Sequence, residues 1–172
     1  MIYRLRVLLD AATDCFRDIE IAGDSTLEDF HNVIMQSFQL QGDEMASFYS
    51  SDEEWNQGKE YCLFDMSEGL NPVHKMADTT VDQAFSKTDT RAIYVYDFLS
   101  MWTFLIELAD IVGPTDGTAY PQVIFAIGEL PDSAPDKEFE ADPRFHDDDE
   151  DSDDDEEEFY DEENFDNYDD LY

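Results

Sequence analysis

The C-terminal segment constrains this chain more than any other feature of the sequence. Residues 147–172 contain 17 Asp or Glu residues and no Lys, Arg or His. Their few apolar residues are scattered, so no helical or extended face collects enough of them to be buried. Such a segment cannot bury enough apolar surface to offset the conformational entropy lost on ordering, and its charges repel one another. The sequence therefore predicts a disordered, polyanionic tail over 147–172 and a fold confined to the residues before it.

The charge of the whole chain limits its partners. The chain has 45 acidic and 9 basic residues, a formal charge of -36, of which residues 1–146 carry -19. The body is therefore acidic in its own right, and it lacks the Lys and Arg that displace counterions from phosphate. The negative charge of the body also repels it from an anionic membrane. We expect a basic protein as partner, no direct nucleic-acid binding and no membrane association.

Three features predict a cytoplasmic protein. Arg4, Arg6 and Asp10 interrupt the apolar residues at the start, which is not the pattern of a signal peptide. The uncharged stretch 117–128 is far shorter than the ~20 residues that cross a bilayer. The two cysteines form no CxxC pair, which is typical of thiols in a reducing compartment.

The first forty residues predict a ββα unit. Alternation of apolar and polar residues predicts strands over 2–9 and 15–22 that form a hairpin. Ser25 and Glu28 form a candidate capping box, so a helix is expected to begin there and to end at Gly42. Its core-facing residues recur at helical spacing and are Leu27, Phe30, Ile34 and Phe38.

The remaining body predicts further strands and one short helix. Strands are expected over 45–50, 60–64 and 92–98, from Trp102 onward and within 119–127, with a short helix within 79–85. The last strand contains the run VIFAI, which is typical of a strand covered on both faces. The pattern predicts an α+β fold, a mostly antiparallel sheet with one main helix packed on it. We place the domain at 1–130, a linker at 131–146 and the tail at 147–172.

Several blocks of residues, in this order and spacing, resemble the plasmid pRiA4b ORF-3-like family. The blocks are Tyr3–Val7, Phe16–Arg17, Thr26–Leu27 with His31, Ile34 and Phe38, then Tyr94–Phe98 with Trp102, Ile106 and Leu108, and finally Tyr120–Pro121. The resemblance covers roughly residues 1–130. It implies a compact α+β domain with a β-grasp-like beginning, found in bacteria and often near mobile elements. It implies no established activity.

The sequence departs from the family pattern where the family has polar residues. Members usually continue the Tyr-Asp-Phe strand with Gly-Asp-x-Trp-x-His, and here those places hold Leu99, Ser100, Trp102 and Phe104. A His-Leu pair after the first helix becomes Glu44-Met45, and a later Gly-, Cys- and Pro-rich stretch is reduced to Gly128–Asp132. If relatives carry a metal or catalytic site in these places, the sequence predicts that this chain has lost it.

No pattern of residues predicts an enzyme. The chain has no GxSxG, P-loop, GxGxxG or HExxH motif, and none of its three histidines has a second ligand at metal-binding spacing. His31 is expected to be a packed, hydrogen-bonded helix residue. Asp97 is expected to face outward or lie at a strand edge, or, if it faces inward, to pair with Arg91 or Arg17. We predict no catalytic residue, no cofactor and no dedicated metal site, while the tail holds divalent cations only loosely.

The second half of the tail mixes aromatic residues with acids. These aromatics are Phe159, Tyr160, Phe165, Tyr168 and Tyr172. Aromatic side chains can anchor in pockets while carboxylates steer and grip a basic groove. The sequence therefore predicts a non-enzymatic interaction module whose tail binds a basic protein. The alternatives are a tail that only solubilises, a DNA mimic that regulates a nucleic-acid-binding protein, and an enzyme or metal protein with a degenerate family site.

Overall fold

The computed structural model describes residues 1–135, in which eight strands and one main helix form an α+β domain, as predicted. The strands are β1 (Ile2–Leu9), β2 (Phe16–Ala22), β3 (Ala46–Ser51), β4 (Gln57–Cys62), β5 (His74–Lys75), β6 (Arg91–Tyr96), β7 (Trp102–Val112) and β8 (Gln122–Ile127). The helices are α1 (Leu27–Phe38) and the short α2 (Val81–Ala84), which a 3-10 turn at Met76–Asp78 precedes. Met1–Pro135 is one compact unit. Most of the predicted linker and the whole predicted tail lie outside the described residues.

All eight strands belong to one sheet, in the order β5-β4-β3-β6-β7-β1-β2-β8. Every neighbouring pair is antiparallel except β4 and β5. The predicted N-terminal hairpin pairs Leu5 with Ile19, and β1 pairs on its other side with β7. The predicted mostly antiparallel sheet is therefore confirmed, with the hairpin placed inside the sheet rather than at its edge.

The core lies between α1 and one face of the sheet. The odd-numbered residues of β1 are buried beneath the helix, while Arg4 and Arg6 are exposed on the opposite face. The helical stripe predicted from sequence is buried. Phe30 stacks on Phe48 of β3 with ring centroids 5.4 Å apart, and Phe38 meets Phe104 of β7 at 4.7 Å. These contacts pack the buried face of α1 against β3 and β7.

Both predicted ends of the helix were wrong. The capping box uses Thr26 and Asp29, one residue later than predicted. The carbonyl of Ser25 instead accepts a hydrogen bond from the amide of Val81, so docking against α2 selects the second of two adjacent capping sequences. The helix ends at Phe38, because Gln39 adopts a left-handed conformation with φ 58°.

The last strand also differs from the prediction. β8 was expected to be covered on both faces, but it forms one edge of the sheet and its apolar side chains are exposed. The prediction took the apolar run VIFAI as a sign of two covered faces, but Val123, Ile124, Phe125 and Ile127 remain 39–50% exposed. Among the described residues, β8 pairs only with β2. β4 also begins and ends earlier than predicted, and β6 ends at Tyr96, so that Asp97 lies outside the strand.

Candidate functional site

His31 lies on the core side of α1. Its Nδ1 atom is 2.7 Å from the hydroxyl oxygen of Tyr94 on β6, and both residues are buried. Burial lowers the pKa of His31 to about 4 and raises the pKa of Tyr94. Both side chains are therefore neutral at neutral pH, and the pair acts as a buried polar contact between helix and sheet.

Asp97 shapes the turn that follows β6. It has φ 58°, and its carboxylate accepts hydrogen bonds from the amides of Leu99 (3.1 Å) and Ser100 (3.4 Å). The pairing with Arg91 or Arg17, expected only for an inward-facing Asp97, does not form, because both guanidinium groups donate to backbone carbonyls. Asp97 thus ends β6 and starts the connection to β7.

Arg17 is one of two buried charged residues that the described part of the chain contains, with Glu20, and the sequence predicted no such role for it. Only 8% of the residue is exposed. Its Nε donates to the carbonyl of Ser37, and its Nη1 donates to the carbonyls of Phe16 and Ile127, each at 2.9 Å. The guanidinium carbon lies 4.6 Å from the ring centroid of Phe38. Carbonyls near a helix C-terminus carry partial negative charge, so Arg17 joins β2, β8 and the end of α1 without a carboxylate. The available signal was its register, which places it on the same face as Ile19 and Ile21.

A cavity of about 680 Å³ lies beside Arg17. Its lining residues come from separate parts of the chain and are Arg17, Phe38–Gln41, Glu44, Tyr96–Asp97, Trp102 and Gly128–Asp132. Four of them are carboxylates against one guanidinium, so the lining has an excess of negative charge. Trp102 and Tyr96 add aromatic rings. A cavity of this size, with acids and aromatics, suits a cationic group on an apolar stem, as in Lys or Arg.

Some of the positions where this sequence departs from the family pattern lie around the same cavity, although Met45, Leu99 and Ser100 do not line it. Glu44, after the first helix, and the 128–132 segment, after β8, both line it beside Trp102. Phe104 is fully buried and contacts Phe38, which also lines the cavity. The sequence identified these departures one by one, and the fold brings them together.

A second cavity, of about 510 Å³, borders His31. It shares Gln39–Gln41 and Glu44 with the first cavity, so the two lie on either side of this loop. His31 and Asp97 line different cavities, and the structure does not bring them together. Within residues 1–135, no three His, Cys, Asp or Glu side chains are grouped to hold a metal ion.

The predicted partner-binding aromatics of the tail lie outside the described residues. They are Phe159, Tyr160, Phe165, Tyr168 and Tyr172. In the part of the chain that is described, no helix is long and apolar enough to span a membrane.

Comparison with known proteins gives a family and a fold. Among solved structures, the chain is similar to MM3350 from Methanosarcina mazei Go1, a protein of unknown function, with 19% identity and a TM-score of 0.63. The similarity covers 73% of this chain and 68% of that one, and at this identity it concerns the fold alone. No curated protein matches the chain. The family model described as plasmid pRiA4b ORF-3-like protein matches residues 1–169, a longer stretch than the one on which the resemblance rests. The chain therefore belongs to the plasmid pRiA4b ORF-3-like family.

Proposed function

We propose that this protein is a non-enzymatic interaction module that binds a basic protein partner, with residues 147–172 as the main contact. The observation that carries the proposal is the charge of the chain, -36 in total, with 17 acids and no base in this last segment. Such a charge attracts basic surfaces, raises the rate of association and opposes binding to phosphate backbones.

The aromatic residues of the segment supply anchors that charge alone lacks. Phe159, Tyr160, Phe165, Tyr168 and Tyr172 stand among the carboxylates, so apolar contact and ion pairing can be made by neighbouring residues. Large aromatic side chains dominate the energetics of many interfaces, while surrounding charges set the association rate. A partner with a basic groove and apolar pockets fits this composition.

The body supports an external partner over an internal one. Residues 1–146 hold 9 bases against 28 acids. Arg4 and Arg6 already pair with Glu20 and Asp18 on the exposed face of the sheet, and Arg17 is buried against carbonyls. Six other basic residues of the body remain, and its 28 acids compete with the acidic segment for them.

We place this function in the cytoplasm. Within residues 1–135, Cys15 and Cys62 form no disulfide, and burial raises the pKa of both thiols. Thiols of this kind are typical of a reducing compartment.

The proposal is tested with the full-length protein and two tail variants. In the first variant, all 17 tail acids become Asn or Gln; in the second, the five tail aromatics become Ser. Each protein is used to capture partners from host lysate at low and high salt. We expect the wild type to capture basic proteins that salt releases, because charge attraction is screened within about 8 Å at physiological ionic strength.

The two variants separate charge from aromatic anchoring. The neutral tail should abolish capture, whereas the aromatic variant should weaken it and keep its salt dependence. Equal capture by the wild type and the neutral-tail variant would refute the proposal. If that capture were also competed by duplex DNA, the DNA-mimic alternative would take its place.

A further inference from the structure

β8 is an apolar strand at an open edge of the sheet. Val123, Ile124, Phe125 and Ile127 are 43%, 46%, 50% and 39% exposed. Among the described residues β8 pairs only with β2, so its other side presents backbone groups without a neighbouring strand. An edge of this kind is a template for another extended chain.

The exposed side chains lie on both faces of this edge. Val123 is opposite Ile19, which faces the helix, while Phe125 is opposite Asp18 on the other face. Phe125 also packs against Phe16, with ring centroids 5.9 Å apart. A strand added to β8 therefore finds apolar contacts above and below the sheet.

Within β8 itself, the edge lacks two of the usual protections against pairing, charge and proline. Natural edge strands carry charged residues, especially Lys, or proline, whereas Gln122–Ile127 contains neither. The whole stretch 117–128 is uncharged in a chain of charge -36. Two copies of this chain repel one another, so a second copy is a poor occupant of the edge and a positively charged segment is a good one.

The C-terminal end of β8 leads directly into the wall of the 680 Å³ cavity. Gly128–Asp132, which follow the strand, line this cavity, and two of their side chains are the acids Glu129 and Asp132. Glu44 and Asp97 face the same space, beside Trp102. An apolar edge and an acidic, aromatic cavity are therefore adjacent in both sequence and space.

We propose that the β8 edge and this cavity form a docking site for an extended segment of the basic partner. The segment adds to β8 as a strand, packs apolar side chains against one face of the edge, and inserts a Lys or Arg side chain into the cavity. Backbone pairing supplies affinity and the side-chain sites supply selectivity, as in other cases of strand addition. This inference rests on the proposed function, and it adds a second contact within the body to the one made by the tail.

The probe is a synthetic peptide that alternates Val and Lys, added to the full-length protein. Binding is measured by calorimetry, and hydrogen exchange is followed for the amides of 122–127. We expect protection of these amides on binding. Because strand pairing needs N–H donors on the facing side, a peptide N-methylated at every Val or at every Lys should bind more weakly in one of the two forms.

Two pairs of variants locate the site. Ile124→Lys should weaken binding about tenfold, because it adds a like charge at the edge, while Leu70→Lys adds the same charge at another exposed apolar residue and should leave binding unchanged. The double variant Glu129→Gln/Asp132→Asn should weaken binding and reduce its salt dependence. Glu53→Gln/Glu54→Gln, with the same change of charge on an exposed loop, is its control and should not.

Each outcome decides the proposal. Absence of binding, absence of protection at β8, or equal effects of Ile124→Lys and Leu70→Lys would overturn it. A dimer that is seen by light scattering and that Ile124→Lys dissociates would show that a second copy occupies the edge, which also overturns the proposal.

The failure of the docking site and the failure of the proposed function can be told apart. If partner capture from lysate depends on the tail acids but not on Ile124, the docking site fails and the proposed function stands. If peptide binding depends on Ile124 while partner capture from lysate does not depend on the tail acids, the docking site stands and the proposed function fails.

Discussion

Replacing His31 with Gln removes a titrating group from the core while keeping a polar side chain opposite Tyr94. In the folded protein, burial lowers the pKa of His31 from 6.5 to about 4. Between these two values the unfolded chain binds more protons than the folded one, so the free energy of unfolding falls as the pH falls. The contribution of neutral His31 is complete above about pH 6.5 and is lost progressively down to about pH 4.

The size of the effect follows from the two pKa values. One pKa unit corresponds to about 1.4 kcal/mol, so the wild type should lose about 2 kcal/mol relative to His31→Gln between about pH 7.5 and pH 5. The comparison with the variant is essential, because 45 acidic residues also begin to titrate at low pH and contribute equally to both proteins. Measurements stop near pH 5, because the isoelectric point lies near 4.1 and neutral chains associate.

The assay is urea unfolding of both proteins over this pH range. Tyr94→Phe is the matched control. It removes the hydrogen bond and should cost about 1–3 kcal/mol at every pH, but it should keep the slope, because burial rather than Tyr94 lowers the pKa of His31. A pH-dependent difference below about 0.5 kcal/mol between wild type and His31→Gln would refute the reasoning.

Three further predictions concern α1 and its surroundings, each measured by urea unfolding at neutral pH. Thr26→Ala should cost about 1 kcal/mol while Ser25→Ala costs little, since only Thr26 caps the helix; equal costs would contradict the assigned cap. Arg17→Lys should cost about 2 kcal/mol, because an ammonium cannot reproduce the three carbonyl contacts and the stacking on Phe38; an unchanged midpoint would argue against this role. Gln39→Gly should stabilise the protein by up to about 1 kcal/mol by relieving a left-handed φ, and destabilisation would show that the side chain of Gln39 matters more.

The ββα start was predictable because local pattern and tertiary burial agree there. Alternation in β1 marks the face that α1 covers, and the helical stripe marks the matching face of the helix. The cap was misplaced by one residue because two overlapping capping boxes are present in the sequence. The choice between them depends on the bridge of Thr26 to Thr80, a contact between segments more than fifty residues apart.

The exposure of β8 could not be read from its composition. An uncharged, apolar run fits a central strand and an open edge equally well, and only the pairing of β2 with β8 decides between them. The cavity could not be predicted from the sequence either, because it also depends on how distant segments come together. Its acids and aromatics come from the loop after α1, the β6–β7 connection and the segment after β8, and no spacing in the sequence links these places.

The central position of β1 delays the completion of the fold. β1 pairs with β7, and β2 with β8, across about a hundred residues of chain, as in Leu5 with Leu108 and Phe16 with Ile127. Contacts of such long range are associated with folding times of milliseconds to seconds. At synthesis rates of about 5–20 residues per second, β7 and β8 are made roughly 5–20 s after the hairpin with which they pair. During that time the edge of β1 that later pairs with β7 has no neighbouring strand. The acidic charge that attracts a basic partner also keeps the unfinished chains apart.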